Sequence, residues 1–228
     1  PGKRNSRDTK VTDLLYGCYG KAAEGKDFSG NLKEIKERYY EIIQGLGLNL
    51  SLEEEFQVIE EKFKEQAGRD YAASRGEYLN GIIMAEYLGY TFIDAATVIR
   101  FDKNGVFDPE KTDRLLGKAL SKNEKAVVPG FYGAKEDGTI CTFSRGGSDV
   151  TGSLVAKAIK ADVYENWTDV SGFLVTDPHI VDDPAVIETI TYRELRELSY
   201  MGATVLHEEA IFPVRKEGIP INIRNTND

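Results

Sequence analysis

A chain of 228 residues with 41% hydrophobic content can bury a sizeable core, which excludes a disordered chain and predicts one large domain or a two-lobed one. A net charge of -9, with no sustained run of Lys and Arg beyond the short PGKRNSRDTK broken by Asp8, excludes a duplex nucleic-acid binder. Cys18 and Cys141 stand in no Cys-x-x-Cys or Cys/His grouping, so neither a disulfide framework nor a zinc site is indicated, and a reducing cytoplasm fits. No apolar run reaches the roughly 18 to 20 residues of a membrane helix, and no signal pattern opens the chain.

In chain order, PGKRNSRDTKVTDLL opens on a turn pair and runs directly into an apolar-periodic helix with nothing ahead of it to cover that helix. The tail IPINIRNTND ends a strand-like run, Ile219 to Ile223, in turn residues, so the chain reads as an excerpt of a longer polypeptide. NLKEIKERYYEIIQ, Asn31 to Gln44, has helical spacing and ends at GLGL. In SLEEEFQVIEEKF, Ser51 and Glu54 form a capping box, and Phe56, Ile59 and Phe63 follow at spacings of three and four, predicting helix from Ser51 to Glu65. A third helix, Tyr71 to Tyr87, stops at Gly89.

Short apolar or β-branched runs then predict strands at Tyr90 to Ile93, Lys125 to Phe131, Gly138 to Phe143 and Ala161 to Trp167. Helices near Pro109 to Leu120, Asp149 to Lys160 and Tyr192 to Tyr200 separate most of the predicted elements. Strands alternating with helices imply an α/β fold with a mainly parallel central sheet covered on both faces, a three-layer αβα sandwich. No internal repeat occurs, and the Glu and Lys of the charged helices read as a solvated face.

Such a sheet binds ligands beyond the carboxyl ends of its strands. FSRGGSDVTG, Phe143 to Gly152, occupies a strand-to-helix junction of that kind, with Ser148 or Asp149 near the N-cap of the following helix. Gly146 and Gly147 let backbone N–H groups approach an anion, the helix N-terminus adds about half a positive charge, and Arg145 offers a bidentate donor to phosphate or carboxylate. The same residues also satisfy a second reading, a tight turn with a capping Ser-Asp pair and a surface arginine. YENWTDVSGFLVTDP carries Thr168-Asp169 and Thr176-Asp177 around Gly172; these pairs close local turns or, at strand ends, bond a ribose or base edge. Neither a P-loop nor a G-x-G-x-x-G fingerprint is present.

Taken together, PGKRNSRDTKVTDLL, GEYLNGIIMAEYLG, VVPGFYG, SRGGSDVTGSLVAKAI, WTDVSGFLVTDPHIV and ELSYMGATVLHEEAIFPVRKEGIPINIRNTND resemble the aspartokinases of the amino-acid kinase family, in family order and from Pro1 to Asp228. The resemblance implies one catalytic domain over 1–228, with an amino-acid-binding lobe mostly in 1–135 and a nucleotide-binding lobe mostly in 136–228, in a carbamate kinase-like fold. It implies transfer of the ATP γ-phosphate to the β-carboxylate of L-aspartate, at the head of lysine, threonine and methionine synthesis. Arg145 then matches the arginine that grips a substrate carboxylate, and Gly146, Gly147 and Ser148 match the loop around the amino acid and the transferring phosphate. Asp149 matches the aspartate that orders a catalytic lysine, and Glu77 the glutamate facing the substrate ammonium. Thr12 and Phe131 match further positions of the aspartate pocket. Thr168 and Asp169 match the pair at the adenosine, Gly172 and Asp177 the loop around it, and Thr204 a position on the nucleotide's phosphate side.

The cofactors implied are ATP and Mg²⁺, the metal reaching the site through phosphates and water with no dedicated ligand cluster. A homodimer with end-product regulation is the family's habit. The family's opening Lys-Phe-Gly-Gly strand and its effector-binding ACT domains have no counterpart here. Lys is usual where Thr204 stands and Arg where His179 stands, which predicts weaker or differently arranged binding of the ATP phosphates. His207 reads as structural, and Trp167 and the phenylalanines as core. Two other readings remain beside aspartate kinase: a relative with glutamate, carbamate or a nucleotide as acceptor, and a silent aspartate-sensing module.

Overall fold

Apolar residues three and four apart build the first four helices, α1 (Val11–Ala23), α2 (Ser29–Gly45), α3 (Glu53–Lys64) and α4 (Arg69–Leu88). The computed structural model describes residues 2–169, 172–176, 181–182, 184–200 and 208–227, and only the backbone of 199, 200, 208 and 209. The chain divides into two compact units, Pro1–Thr142 and Phe143–Asp228.

In the first unit, Leu14, Leu15 and Cys18 of α1 meet Ile35, Tyr39 and Ile43 of α2, Phe56, Ile59 and Phe63 of α3, and Leu79 and Ile83 of α4 in one core. Phe63 stands edge-on to Phe28 and Tyr71, with ring centroids 6.0 and 6.1 Å apart. Burying side chains of this size contributes about 1.5–3 kcal/mol each, so the register of α4 against its neighbours is strongly held. The first two turns of α4 are buried on all sides, from Tyr71 to Gly76. At Gly76 the helix backbone faces Leu15 and Val11 of α1, which would meet a Cβ there in ordinary van der Waals contact at 3.7 and 3.8 Å. The Tyr39 hydroxyl donates to the Gly76 carbonyl at 2.7 Å and fixes the helix where Glu77 begins.

Most predicted boundaries hold within two or three residues. The stop at Gly89 is made as expected, in the left-handed region at φ 66°, with its N–H and that of Tyr90 closing on Glu86 and Ala85. The capping box is not made as predicted: Leu52, fully buried, is the N-cap of α3, so Ser51 falls one residue too early and its hydroxyl accepts only from the Glu53 N–H, at 3.3 Å. The predicted strand Lys125 to Phe131 is confined to Ala126–Val127, because Pro129 offers no N–H to a ladder.

β1 (Thr91–Phe92) pairs in parallel with β2 (Ala126–Val127), and β3 (Tyr132–Ala134) pairs antiparallel with β4 (Ile140–Thr142). Between β1 and β2 lie the short α5 (Ala95–Val98), capped by Asp94, and α6 (Pro109–Leu120), where Asp108 accepts from the Lys111 N–H and Pro109 takes the first turn.

The second unit holds α7 (Gly147–Ala158), β5 (Tyr164–Thr168), β6 (Phe173–Leu174), β7 (Val186–Ile187), α8 (Tyr192–Tyr200), α9 (Glu208–Glu217) and β8 (Ile221–Asn225). β5 runs parallel to β8 in register Tyr164 to Ile221 through Thr168 to Asn225, and β6 and β7 form an antiparallel pair. Ala156, Phe173, Leu195, Ile211, Val214 and Ile219 form its core. The α/β class stands, each unit joining a parallel strand pair and an antiparallel one to packed helices.

Candidate active site

In the first unit, Glu77 follows Gly76 on α4 and is half-buried; burial raises its carboxyl pKa above the ordinary glutamate value. Thr12 lies in the first turn of α1, next to Val11, whose side chain faces Gly76. α1 packs on α4 at this point, through Val11 and Leu15 against Gly76. Phe131 stands immediately before β3 with φ 63°, a left-handed conformation that costs a bulky residue about 1–3 kcal/mol. Its neighbour Tyr132 is fully buried and donates its hydroxyl to Asp94 Oδ1 at 2.8 Å.

Tyr132 also faces Arg75, which sequence reasoning missed. The Arg75 guanidinium lies 5.5 Å from the Tyr132 ring and between those of Tyr71 and Tyr78, at 4.6 and 4.4 Å. Arg75 is 5% exposed, gives its Nε and Nη2 hydrogens to Ser74 Oγ, and forms no ion pair with any described residue. Three aromatic faces thus stand where a carboxylate would be expected. The signal was available locally, since Tyr71 and Tyr78 flank Arg75 at the i−4 and i+3 positions of one helix.

In the second unit, the Gly-Gly loop opens α7, with a correction to the predicted cap. Gly146, not Ser148 or Asp149, is the N-cap, at φ 53°, because a left-handed residue is needed to swing the chain into the helix. Ser148 and Asp149 consequently lie inside the first turn. The first helix-closing bond beyond the cap runs from the Val150 N–H to the Gly146 carbonyl at 2.9 Å, leaving the N–H groups of Gly147, Ser148 and Asp149 at the helix mouth. Arg145 and Ser148 are exposed, and Arg145 forms no ion pair with any described residue. First-turn N–H groups of this kind can receive a phosphate or carboxylate, and Arg145 stands one residue ahead of the cap in the chain.

Thr168 and Asp169 stand at the carboxyl end of β5, the Thr168 hydroxyl donating to Asp169 Oδ1 at 3.3 Å and the Thr168 carbonyl accepting from the Thr226 N–H at 2.8 Å. Gly172 has φ 132°, which explains a glycine there. A cleft of about 650 Å³ beside Gly172 is lined by Phe173, Ile187, Tyr192 and Asn222, and by no other predicted site residue. Trp167, expected in the core, is 58% exposed: β5 turns Tyr164, Asn166 and Thr168 to one face and Glu165 and Trp167 to the other. Phe212 is likewise exposed rather than core. Asp177, His179, Thr204 and His207 lie outside the described residues. Among the described residues no three His, Cys, Asp or Glu side chains converge as metal ligands, and no helix is long and apolar enough to cross a membrane.

The family model of the amino acid kinase family matches residues 27–225. By sequence the chain is similar to aspartokinase 3 of Bacillus subtilis, 37% identical with all of this chain and 53% of that protein covered. It is also similar to a bifunctional aspartokinase/homoserine dehydrogenase of Haemophilus influenzae, at 31% identity over 98% of this chain and 31% of that protein. Among solved structures, an aspartate kinase of Clostridium acetobutylicum superposes with a TM-score of 0.93 at 54% identity, over all of this chain and 52% of the other. Aspartokinase III of E. coli in complex with aspartate and ADP superposes with a TM-score of 0.78 at 26% identity, over 97% of this chain and 54% of the other. The chain thus spans about half the length of the Bacillus relative and less of the Haemophilus one.

Proposed function

We propose, from the premise that the chain belongs to the amino-acid kinase family and within it to the aspartokinases, that it transfers the γ-phosphate of ATP to the β-carboxylate of L-aspartate, yielding 4-phospho-L-aspartate and ADP. The observation that carries this reading is the likeness of the whole chain, at 54% identity, to the Clostridium aspartate kinase. The E. coli relative, in complex with aspartate and ADP, supports both ligands.

Each residue has a physical task in this reading. Arg145 takes a substrate carboxylate in a bidentate grip, and Glu77 takes the ammonium, assisted by Thr12 and Phe131 at the pocket wall. Half-buried and with a raised pKa, Glu77 is costly to ionise alone; an arriving ammonium compensates it, so charge pairing and binding reinforce one another. The acceptor carboxylate is already ionised at neutral pH and needs no general base. Gly147, Ser148 and Asp149 present N–H groups to the transferring phosphoryl oxygens, and Asp149 orders a cationic group beside them. Thr168, Asp169 and Gly172 hold the adenosine, with Asp177 and Thr204 completing the nucleotide side. The donor set at the mouth of α7 suits a polyphosphate, and Mg²⁺ bound with ATP would supply charge neutralisation there. A cytoplasmic homodimer feeding lysine, threonine and methionine synthesis under end-product control completes the proposal.

The test is ADP release coupled to NADH oxidation, with hydroxylamine trapping of the acyl phosphate, for the complete polypeptide offered aspartate, glutamate, carbamate and nucleoside monophosphates in turn. Aspartate-dependent turnover with a hydroxamate product is expected. Preference for another acceptor, or aspartate binding with no turnover, would overturn it in favour of a different kinase or a sensing module.

A further inference from the structure

On the face of β5 that turns toward α7, the central position is taken by a polar residue, Asn166, at 8% exposure. A buried amide of this kind must satisfy its hydrogens, and Asn166 gives both to named acceptors. Its Nδ2 donates to Asp149 Oδ1 at 2.8 Å and to the Tyr164 hydroxyl oxygen at 3.2 Å. An ionised carboxylate only accepts, so Asp149 dictates which way the amide points. Tyr164 is set in turn by a glycine: a Cβ at Gly152 would stand 2.5 Å from its hydroxyl oxygen and 2.8 Å from Cζ. The ring therefore lies directly on the helix backbone, one turn beyond Asp149. Gly152, Tyr164, Asn166 and Asp149 form one continuous contact from α7 to β5 and back.

We infer that Asn166 is a positioning residue of the phosphoryl-transfer site. It engages Asp149 Oδ1, holding the carboxylate in one conformer with Oδ2 turned to a cationic partner. The inference rests on the proposed function, in which Asp149 orders a cation beside the transferring phosphate. Because Thr168 and Asp169 follow Asn166 on the same strand, the amide also ties the acidic group of α7 to the strand that carries the adenosine pair.

Asn166→Leu keeps the branching and volume of the side chain and removes the donor. In the complete polypeptide kcat for aspartate phosphorylation should fall about tenfold to a hundredfold, the loss expected when a catalytic group drifts by about an ångström. KM for aspartate should stay within about twofold, and Tm should not fall, since leucine suits a buried face. Tyr164→Phe leaves the ring on Gly152 and removes one acceptor, so its loss in kcat should be smaller. An unchanged kcat in Asn166→Leu, or a kcat loss matched by a fall in Tm, overturns the inference. Crystal structures of parent and variant give a readout independent of turnover: Asp149 should hold one conformer against Asn166 in the parent and leave it in the variant. An unmoved Asp149 sinks the positioning role, whereas a parent that binds aspartate and forms no ADP sinks the proposed function and leaves the Asp149 conformers to judge Asn166 separately.

Discussion

Alanine at Gly133 should open the first unit where β3 crosses the segment from Ile99 to Phe101. A methyl group there would lie 2.5 Å from the Ile99 carbonyl oxygen, 2.7 Å from Ile99 Cγ2 and 2.9 Å from the Ile99 carbonyl carbon. A carbon–oxygen contact settles at about 3.3 Å or more, so the two backbones must part by about 0.8 Å. The hydrogen bonds beside it, Ala134 N–H to Ile99 at 3.0 Å and Phe101 N–H to Ala134 at 3.1 Å, would then pass the useful range. Two such bonds at about 1 kcal/mol each, with about 1–3 kcal/mol of overpacking, less about 0.4–1 kcal/mol regained from a stiffer unfolded chain, leave a loss of about 3 kcal/mol. Urea unfolding followed by circular dichroism should show the midpoint falling by about 1.5 M at a slope of about 2 kcal/mol/M. Gly117→Ala is the control, in α6 with nothing within 4 Å of the new methyl group, and should stabilise by about 0.5–1 kcal/mol. A loss below about 1 kcal/mol at Gly133 would refute the reasoning, because it would mean that the strands separate freely.

The Glu77 carboxyl, raised by burial, keeps its proton longer in the folded chain than in the unfolded one, so its contribution to stability declines as pH rises above about 4.3. Glu77→Gln should therefore raise the denaturation midpoint at pH 7 while abolishing aspartate-dependent ADP formation; a lower midpoint would contradict this. Asp8 is lowered to about 2, first by the Arg4 N–H and then by the guanidinium groups of Arg4 and Arg38. Its stabilising effect is complete above about pH 4 and disappears as pH falls through about 2, so the midpoints of the parent and Asp8→Asn should differ at pH 6 and converge toward pH 2, a constant gap being the contrary result. Cys18 is fully enclosed and burial pushes its thiol up to about 12, so iodoacetamide at pH 8 should label it no faster than the chain unfolds, and quicker labelling would count against that enclosure.

What could be read from sequence was what neighbours decide. α6 occupies the predicted Pro109–Leu120 because Asp108 and Pro109 supply cap and first turn within the segment itself. The Gly-Gly loop was legible as a strand-to-helix turn, but its cap was read at Ser148 or Asp149 instead of Gly146, because a Ser-Asp pair carries the usual capping side chains and the left-handed glycine makes no side-chain cap. Strands of two residues, as in β6 and β7, fall below any periodicity, and α9 carries Pro213 inside it, a residue that argues against helix unless packing of Ile211 and Val214 overrides it. Asn166 could not be seen as part of the site, because the carboxylate that explains it lies on another element, 17 residues away. Trp167 misled for the complementary reason: its size suggested core, whereas the alternation of β5 had already assigned its neighbours to the inner face.

The tyrosine-lined seat of Arg75 bears on how the chain responds to electrolyte. Surface charges are damped over about 8 Å at physiological ionic strength, whereas a guanidinium shut away from water keeps its field. Salt therefore weakens exposed ion pairs such as Lys33–Glu37 at 3.7 Å and leaves the contacts of Arg75 with its three tyrosines in place. It follows that the first turns of α4 should keep their packing at an ionic strength that already loosens the charged outer faces of the helices.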